Sequence, residues 1–487
     1  MKKRFKLFLS IALLILISGC SDDVLELNPL DQANVSNSFN SPADANLAVI
    51  GIYDALQGGS YPQDMAFLTE LITDNTMVQP TRIADAGRGD LRELEFFQMT
   101  DNNSYFQSRW TGLYRGISRS NLLLDKIEQI SFPNPSLKNQ YIGEAKFLRA
   151  LFYFDLVRFF GPVPISLAGI KSAEEAFALK RAPEAEVYQT IINDLKDAIN
   201  NLPILPPSTS DVGRATKGAA TALLAKVYLT NKNPALALPL LRELTLAPYQ
   251  YRLMNTYAAA FDTDNTSETI FEIQYTSSVP GEGNPYPNFF LTNDGTAGKD
   301  IFGASYLGST GQGINLPTLD MWNAYETNDP RRTYSIIPYF SKQEAASVFI
   351  IYKYRGVPTS PNNSEDNIPV LRYADVLLML AEAINETNKG PNVEAYDAVD
   401  KIRSRAGSIP LWSRTLDYEG FKTKLLQERR VELAFENHRW FDLKRFNKAQ
   451  EVLSAKGHNI KPHHLLYPVP RKEVQINPVN IPQNPGY

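Results

Sequence analysis

The sequence predicts a mostly α-helical protein: a scaffold of helical repeats that carries a loop-rich, irregular region with short strands. Three observations lead there. Apolar residues recur at helical spacing in long runs before about residue 245 and again from 370 to 450. Between about 246 and 369 that period gives way to glycine, proline, asparagine and aromatic residues. The composition, 43% hydrophobic, 21% charged and 11% aromatic, is that of a folded chain able to bury a large core.

Residues 1–19 read as a signal peptide. Lys2, Lys3, Arg4 and Lys6 precede an apolar run from Leu7 to Ile17, broken only by Ser10. That run is too short for a bilayer core of about 30 Å, so a membrane-spanning helix is not expected. It ends in Ile17-Ser18-Gly19-Cys20, which resembles a bacterial lipobox, where cleavage falls before an acylated cysteine. Cys20 is the single cysteine of the chain. No internal disulfide or multi-cysteine metal site can form, and lipidation is the role expected of Cys20. Acyl chains moor a soluble body to a membrane without crossing it. Ser21-Asp22-Asp23 resembles the acidic export tag of surface-exposed lipoproteins in some Gram-negative bacteria. Residues 20–40 read as a lipidated tether, and residues 41–487 as a single domain.

Within that domain Ala45, Val49, Ile52 and Leu56 open the helical pattern, and a second helix covers 65–73, ahead of a polar segment over 74–90. Trp110, Leu113, Tyr114, Ile117 and Leu124 give the inward face of a helix over about 105–130, with Trp110 as core. The run 144–160 is apolar nearly all round and halts at Gly161-Pro162, a stop signal. Pro183 with Glu184 and Glu186 starts the next helix, with Val187, Ile191, Leu195, Ala198 and Leu202 inward. The run 214–229 is alanine-rich, which lets a partner helix approach closely, and another short helix follows Pro234. Paired antiparallel helices of this kind are similar to tetratricopeptide-type repeats, although no repeat consensus is kept. Residues 270–275 alternate as a strand does. Helices resume with Tyr373, Leu377, Leu380 and Ile384, then Ala395, Val399, Ile402 and Ala406.

The stretch 428–446, ERRVELAFENHRWFDLKRF, reads as a helix packed on more than one side. It also carries Glu428, Arg429, Arg430, Glu432, Glu436, Arg439, Asp442 and Arg445. Charges in a buried helix must be paired, since removing an unpaired ion from water costs several kcal/mol, roughly. Glu436 with Arg439, Arg439 with Asp442, and Asp442 with Arg445 stand three apart, close enough to pair. A structural role is the expectation; the alternative makes Glu432, Glu436 or Asp442 catalytic. A glycosidase needs two carboxylates roughly 5–10 Å apart, but a neighbouring arginine holds a carboxylate ionised and unsuited to donate a proton. No G-x-S-x-G, Walker loop or H-E-x-x-H is present, and the chain reads as non-enzymatic, with no cofactor.

Formal net charge is −4, and residues 1–19 hold four cations and no acid, so the remainder carries −8. An acidic chain without a basic cluster is a poor nucleic-acid binder. The four histidines, His438, His458, His463 and His464, have no ligand spacing to nearby acids. Asp262 and Asp264 lack an EF-hand pattern, so no metal site is expected.

Five segments together resemble the SusD/RagB family of surface glycan-binding lipoproteins. They are EAKFLRALFYFDLVRFFGPVPI (144–165), RATKGAATALLAKVYL (214–229), LRYADVLLMLAEAIN (371–385), the stretch 428–446, and the terminal PQNPGY. The resemblance implies four tetratricopeptide-like helix pairs supporting a loop-rich half that binds sugar. It implies a lipid-anchored outer-membrane protein, exposed at the cell surface, that works as a lid on a SusC-like TonB-dependent transporter. The matching segments are scaffold and do not locate the ligand.

Sugar rings have apolar faces and hydroxyl edges, so their sites need aromatic platforms plus planar donors and acceptors. Two stretches supply that mixture: Asp74, Asn75, Arg82, Arg88, Asn102 and Tyr105 in one, and Tyr286, Asn288, Phe289, Tyr306 and Trp322 in the other. These are the candidate glycan contacts, with loop packing as the competing reading, strongest at Trp322, where Asp329 and Arg331 are expected to pair. A surface glycoside hydrolase, or a helical-repeat adaptor for peptide or protein ligands, stands as the alternative function.

Overall fold

A computed structural model describes residues 39–58, 61–407 and 409–487. The signal peptide, Cys20 and nearly all of the tether lie outside the described residues. Ten principal helices form the frame: α1 (Pro42–Gln57), α2 (Ser104–Lys126), α3 (Pro135–Phe160), α4 (Glu184–Asn201), α5 (Lys217–Thr230), α6 (Pro234–Glu243), α7 (Tyr373–Asn388), α8 (Val393–Ala406), α9 (Tyr418–Glu432) and α10 (Arg439–Arg445). Most begin at a side chain that satisfies their free N–H groups. Ser41 and Asp44 form a capping box on α1, and Asn103, Asn134, Thr216, Asn392 and Asp417 cap α2, α3, α5, α8 and α9.

The helices stack in sequence order: α2 on α3, α3 on α4, α4 on α5, α5 on α6. The α2–α3 approach needs Gly116, where a Cβ would fall 2.3 Å from the Phe152 ring. Helix α6 then packs directly on α7, which packs on α8 and α9. The stack is continuous although about 130 residues separate α6 from α7. It is the predicted tetratricopeptide-like scaffold, and the loop-rich region is an insertion between two neighbouring helices.

That insertion contains strands β1 (Thr269–Ile273) and β4 (Ile368–Arg372), paired antiparallel, and the hairpin of β2 (Ile336–Ser341) with β3 (Ala346–Ile351). A two-residue ladder joins it to the first half, Thr76 opposite Pro317 and Met77 opposite Leu316. The insertion also builds a small core of its own, with Leu291, Tyr306 and Ile350 buried against Ile301, Phe302, Ile337 and Tyr339.

The stretch 428–446 is not one helix. Helix α9 ends at Glu432, and α10 starts at Arg439. Between them Phe435 and Asn437 take left-handed backbone, φ 64° and 66°. The carbonyls freed by the break accept from side chains instead: Ala434 from Lys353 Nζ at 3.0 Å and Phe435 from the Tyr354 hydroxyl at 2.9 Å. The C-terminal tail folds back on α3, where Asn484 Nδ2 donates to the carbonyls of Phe160 at 3.0 Å and Tyr467 at 2.7 Å.

Candidate functional site

Behind the helices lies a seam of buried ion pairs. Arg331 meets Asp329 at 2.8 Å, Glu428 at 2.7 Å and Glu432 at 3.0 Å. Arg372 meets Glu268 at 2.8 Å, Glu432 at 2.7 Å and Glu436 at 2.6 Å. Lys353 reaches Glu436 at 2.5 Å, and Arg429 lies 2.8 Å from both Asp375 and Asp442. Of the three pairs read from spacing, Asp442 with Arg445 forms, at 2.9 Å; Glu436 and Arg439 take distant partners instead. Burial alone would raise Glu432, but Arg405, Arg372 and Arg331 hold it well below the usual carboxylate range. Asp442 is held down likewise by Arg429 and Arg445, against its burial. Carboxylates kept ionised this firmly do not act as general acids near neutral pH.

Six of the eleven predicted contacts are buried, which corrects their reading as an open platform. Asp74 accepts from Arg439 with both oxygens at 2.8 Å. Burial opposes its charge, yet Arg439 and Arg430 bring it down to about 2. Asn75 Nδ2 donates to Glu70 at 2.9 Å. Tyr286 is fully buried, and its hydroxyl donates to the Pro62 carbonyl at 3.0 Å. Asn288 Nδ2 donates to Ser309 Oγ at 2.5 Å, and the Tyr306 hydroxyl stands 3.0 Å from Asn288 Oδ1. Phe289 packs beside Phe67, ring centres 6.0 Å apart. Asp74 and Asn75 are drawn in by Arg439, Arg430 and Glu70; for the other four the cause is the length of the insertion, which without long strands or helices holds its shape by burying its own rings and bonding its loop groups to side chains.

Of the other five, Asn102 is exposed and four are half-buried. Trp322 stacks on Phe349 at 4.9 Å, and its neighbours Asp329 and Arg331 do pair. Arg82 pairs with Asp85 at 2.6 Å, and Arg88 Nη2 donates to the Gln312 carbonyl at 2.6 Å. Tyr105 meets Phe67 edge-on at 5.2 Å, and burial pushes its hydroxyl up to about 12.

Arg82 and Arg88 lie where three loops are stitched together. Gln79 Oε1 accepts from Thr292 Oγ1 at 3.1 Å and the Asn293 N–H at 2.9 Å, while its Nε2 donates to Gln343 at 3.2 Å. Asp294 Oδ1 accepts from Ser341 Oγ at 3.0 Å and the Gln343 N–H at 3.1 Å. Residues 78–90, 291–313 and the β2–β3 tip thus form one face. Two rings next to these elements in the chain stand out in solvent: Phe96, past the short helix that follows the first, at 43% exposure, and Phe340, at the tip end of β2, at 61%. Sequence reasoning missed both. The available signal was adjacency: Phe96-Phe97 and Tyr339-Phe340 are neighbouring aromatics, and successive residues of a strand, like those at a helix end, cannot both face inward. The stitched face carries guanidinium forks and side-chain amides, with the exposed Phe340 ring at its edge, groups suited to bonding hydroxyls and stacking on a sugar. No cluster of His, Cys, Asp and Glu able to hold a metal exists among the described residues.

The model described as "SusD family" matches residues 339–487, and that described as "Starch-binding associating with outer membrane" matches 25–229. SusD-like protein P2 of Formosa agariphila is 30% identical, covering 100% of each chain. The chain belongs to the SusD/RagB family. A SusD-like protein of Bacteroides ovatus is 29% identical over 71% of this chain and 66% of its own. The solved structure of a laminarin-binding SusD-like protein matches this SusD-family chain with TM-score 0.78 at 28% identity, covering 92% of this chain and 100% of its own. Surface glycan-binding protein A of Bacteroides thetaiotaomicron, in complex with laminarihexaose, shares the fold with TM-score 0.77 at 21% identity, covering 91% of this chain and 100% of its own. The family places this SusD-like chain among glycan-binding proteins associated with the outer membrane.

Proposed function

We propose that the protein captures an oligosaccharide or polysaccharide on the stitched loop face and delivers it, without cleaving it, to a SusC-like TonB-dependent transporter. Acyl chains on Cys20 hold it to the outer membrane at the cell surface. The single observation that supports the capture reading most is the stitched segment that carries Arg82 and Arg88, with the exposed rings of Phe340 on β2 and Phe96 just past that segment. Those four, with Tyr105 and Trp322, are the contacts this reading assigns. Asp74, Asn75, Tyr286, Asn288, Phe289 and Tyr306 support the loops from within. The laminarin-binding relative makes β-glucan the first ligand to try.

One observation favours a second reading, a surface glycoside hydrolase. Burial raises the Glu95 carboxyl to about 7, offset in part by the Val78 N–H that it accepts at 3.2 Å. A carboxyl near that value beside a sugar face has the protonation a general acid needs. Incubating the soluble form, from Ser21 on, with a polysaccharide panel headed by laminarin separates the two. Retention without new reducing ends is the expected result, and turnover abolished by Glu95→Gln would replace capture with hydrolysis. Affinity for peptides alone would favour the adaptor reading. Acyl labelling lost in Cys20→Ala checks the anchor.

A further inference from the structure

Arg430, in the last turn of α9, is nearly buried, at 8% exposure, and faces the two walls of the loop face from the frame side. Its Nε donates to Asn75 Oδ1 at 2.9 Å, and its Nη2 to the Asp74 carbonyl at 3.1 Å. The same Nη2 donates to Asp320 Oδ2 at 2.8 Å. Asp74 and Asn75 begin the wall that runs on to Arg82, Arg88 and Phe96. Asp320 ends the wall that descends from Gln312 through the Leu316–Pro317 ladder. Each wall also has a tether of its own. Arg439 holds Asp74 in a fork, and Lys456 pairs with the free oxygen of Asp320. Thr318 joins the walls to each other, its N–H donating to the Asn75 carbonyl at 2.9 Å and its hydroxyl to the Asp74 carbonyl at 2.8 Å. Arg430 alone among these groups bonds both walls and the rigid helix at once.

We infer that Arg430 is a positioning residue for the ligand, one that fixes the spacing of the two walls against the frame without touching the sugar. A planar guanidinium has the separated donors that this bridge requires, and a lysine ammonium on the same stem is one point. A polymer lying across both walls gains affinity with each unit until both are engaged. That gain is lost when the walls stop sharing one reference point. The inference rests on the capture reading and makes a demand that capture alone does not.

The test is calorimetric titration of the soluble protein with oligosaccharides of increasing length, disaccharide to heptasaccharide, cut from laminarin or from whichever panel polysaccharide it retains. In the wild type, affinity rises with length. In Arg430→Gln the disaccharide binds within about twofold of wild type, while the longest ligand weakens about tenfold. Arg430→Lys does not restore it, whereas a role in neutralising charge would be rescued by lysine. Binding equal to wild type at every length in Arg430→Gln, or one uniform loss at every length, overturns the inference and leaves capture standing. If Arg430→Gln does not fold, Asp320→Ala, which removes the second wall's bonds to both Arg430 and Lys456, must flatten the length dependence in its place; an unchanged slope again overturns the inference. A wild type that retains no glycan brings down the capture reading, and the inference with it, before any variant is compared.

Discussion

Arg372, in the seam behind the helices, commits its guanidinium to Glu268, Glu432 and Glu436. Arg88, in the loop face, is half-buried and bonds one backbone carbonyl. Aromatic residues divide the same way: Tyr286 is sealed inside with its hydroxyl bonded, while Phe340, near it only in kind, stands in solvent. The two regions draw on one set of side chains, and what separates them is whether the polar partners come from the protein or are left for a ligand. A buried guanidinium with several carboxylates has nothing further to offer. One with fewer protein partners and some contact with solvent can still complete its bonding with something from outside.

The comparison breaks most visibly in the seam. Arg372→Met leaves Glu432 and Glu436 buried with fewer counter-charges, and the expected loss of stability is about 3–5 kcal/mol, read from the denaturant midpoint. Arg88→Gln is expected to leave that midpoint nearly unmoved and to weaken glycan binding. Equal effects of the two on stability would erase the distinction drawn between them.

Glu95 sharpens it next, because it is a half-buried acid with no ion pair among the described residues. Burial raises its carboxyl to about 7, above the ordinary value of 4.5. Between those values the folded state holds more protons than the unfolded one, so this group's contribution to stability falls as pH rises. Glu95→Gln is therefore expected to be more stable than wild type at pH 8, by up to about 3 kcal/mol, and equal to it near pH 4. Paired melting curves check this, and the difference between the two proteins cancels the other titrating groups.

On the open face, Phe96→Ala and Phe340→Ala are each expected to cost about threefold to tenfold in glycan affinity, with melting temperature changed little because both rings are exposed. Smallest of all is the exposed pair Arg242–Glu394, 2.6 Å apart on the outside of the frame. Arg242→Ala is expected to shift stability by no more than about 0.5 kcal/mol and to leave binding alone.

The frame was legible in the sequence because its cause is periodic: Val187, Ile191, Leu195 and Ala198 are buried where a 3.6-residue repeat puts them. The need for pairing in 428–446 was legible as well, since ions that deep must find partners. The partners were not. Glu436 stands three residues from Arg439, yet it bonds Arg372 and Lys353, which arrive from another part of the chain. The break at Phe435 carries no glycine or proline to announce it. The loop rings misled for a related reason. Irregular sequence over 284–322 reads as surface, but Tyr306 and Leu291 close a second core whose spacing follows no simple period. Accessibility in such a region depends on contacts far apart in sequence, and Phe96 and Phe340 became visible as candidates only when their neighbours had faced inward.

Because α6 packs on α7 whatever lies between them, the insertion behaves as a graft on a stock. Doubling the length of a loop costs only about 0.6 kcal/mol in closure entropy, so the stock can carry grafts of very different size at similar stability. The graft is nevertheless held by four ions it must itself provide: Glu268, Arg331, Lys353 and Arg372 all come from residues 244–372 and all reach into the seam. A transplanted ligand face that omitted them would strand the carboxylate of Glu436 in the trunk and leave Glu432 with Arg405 alone.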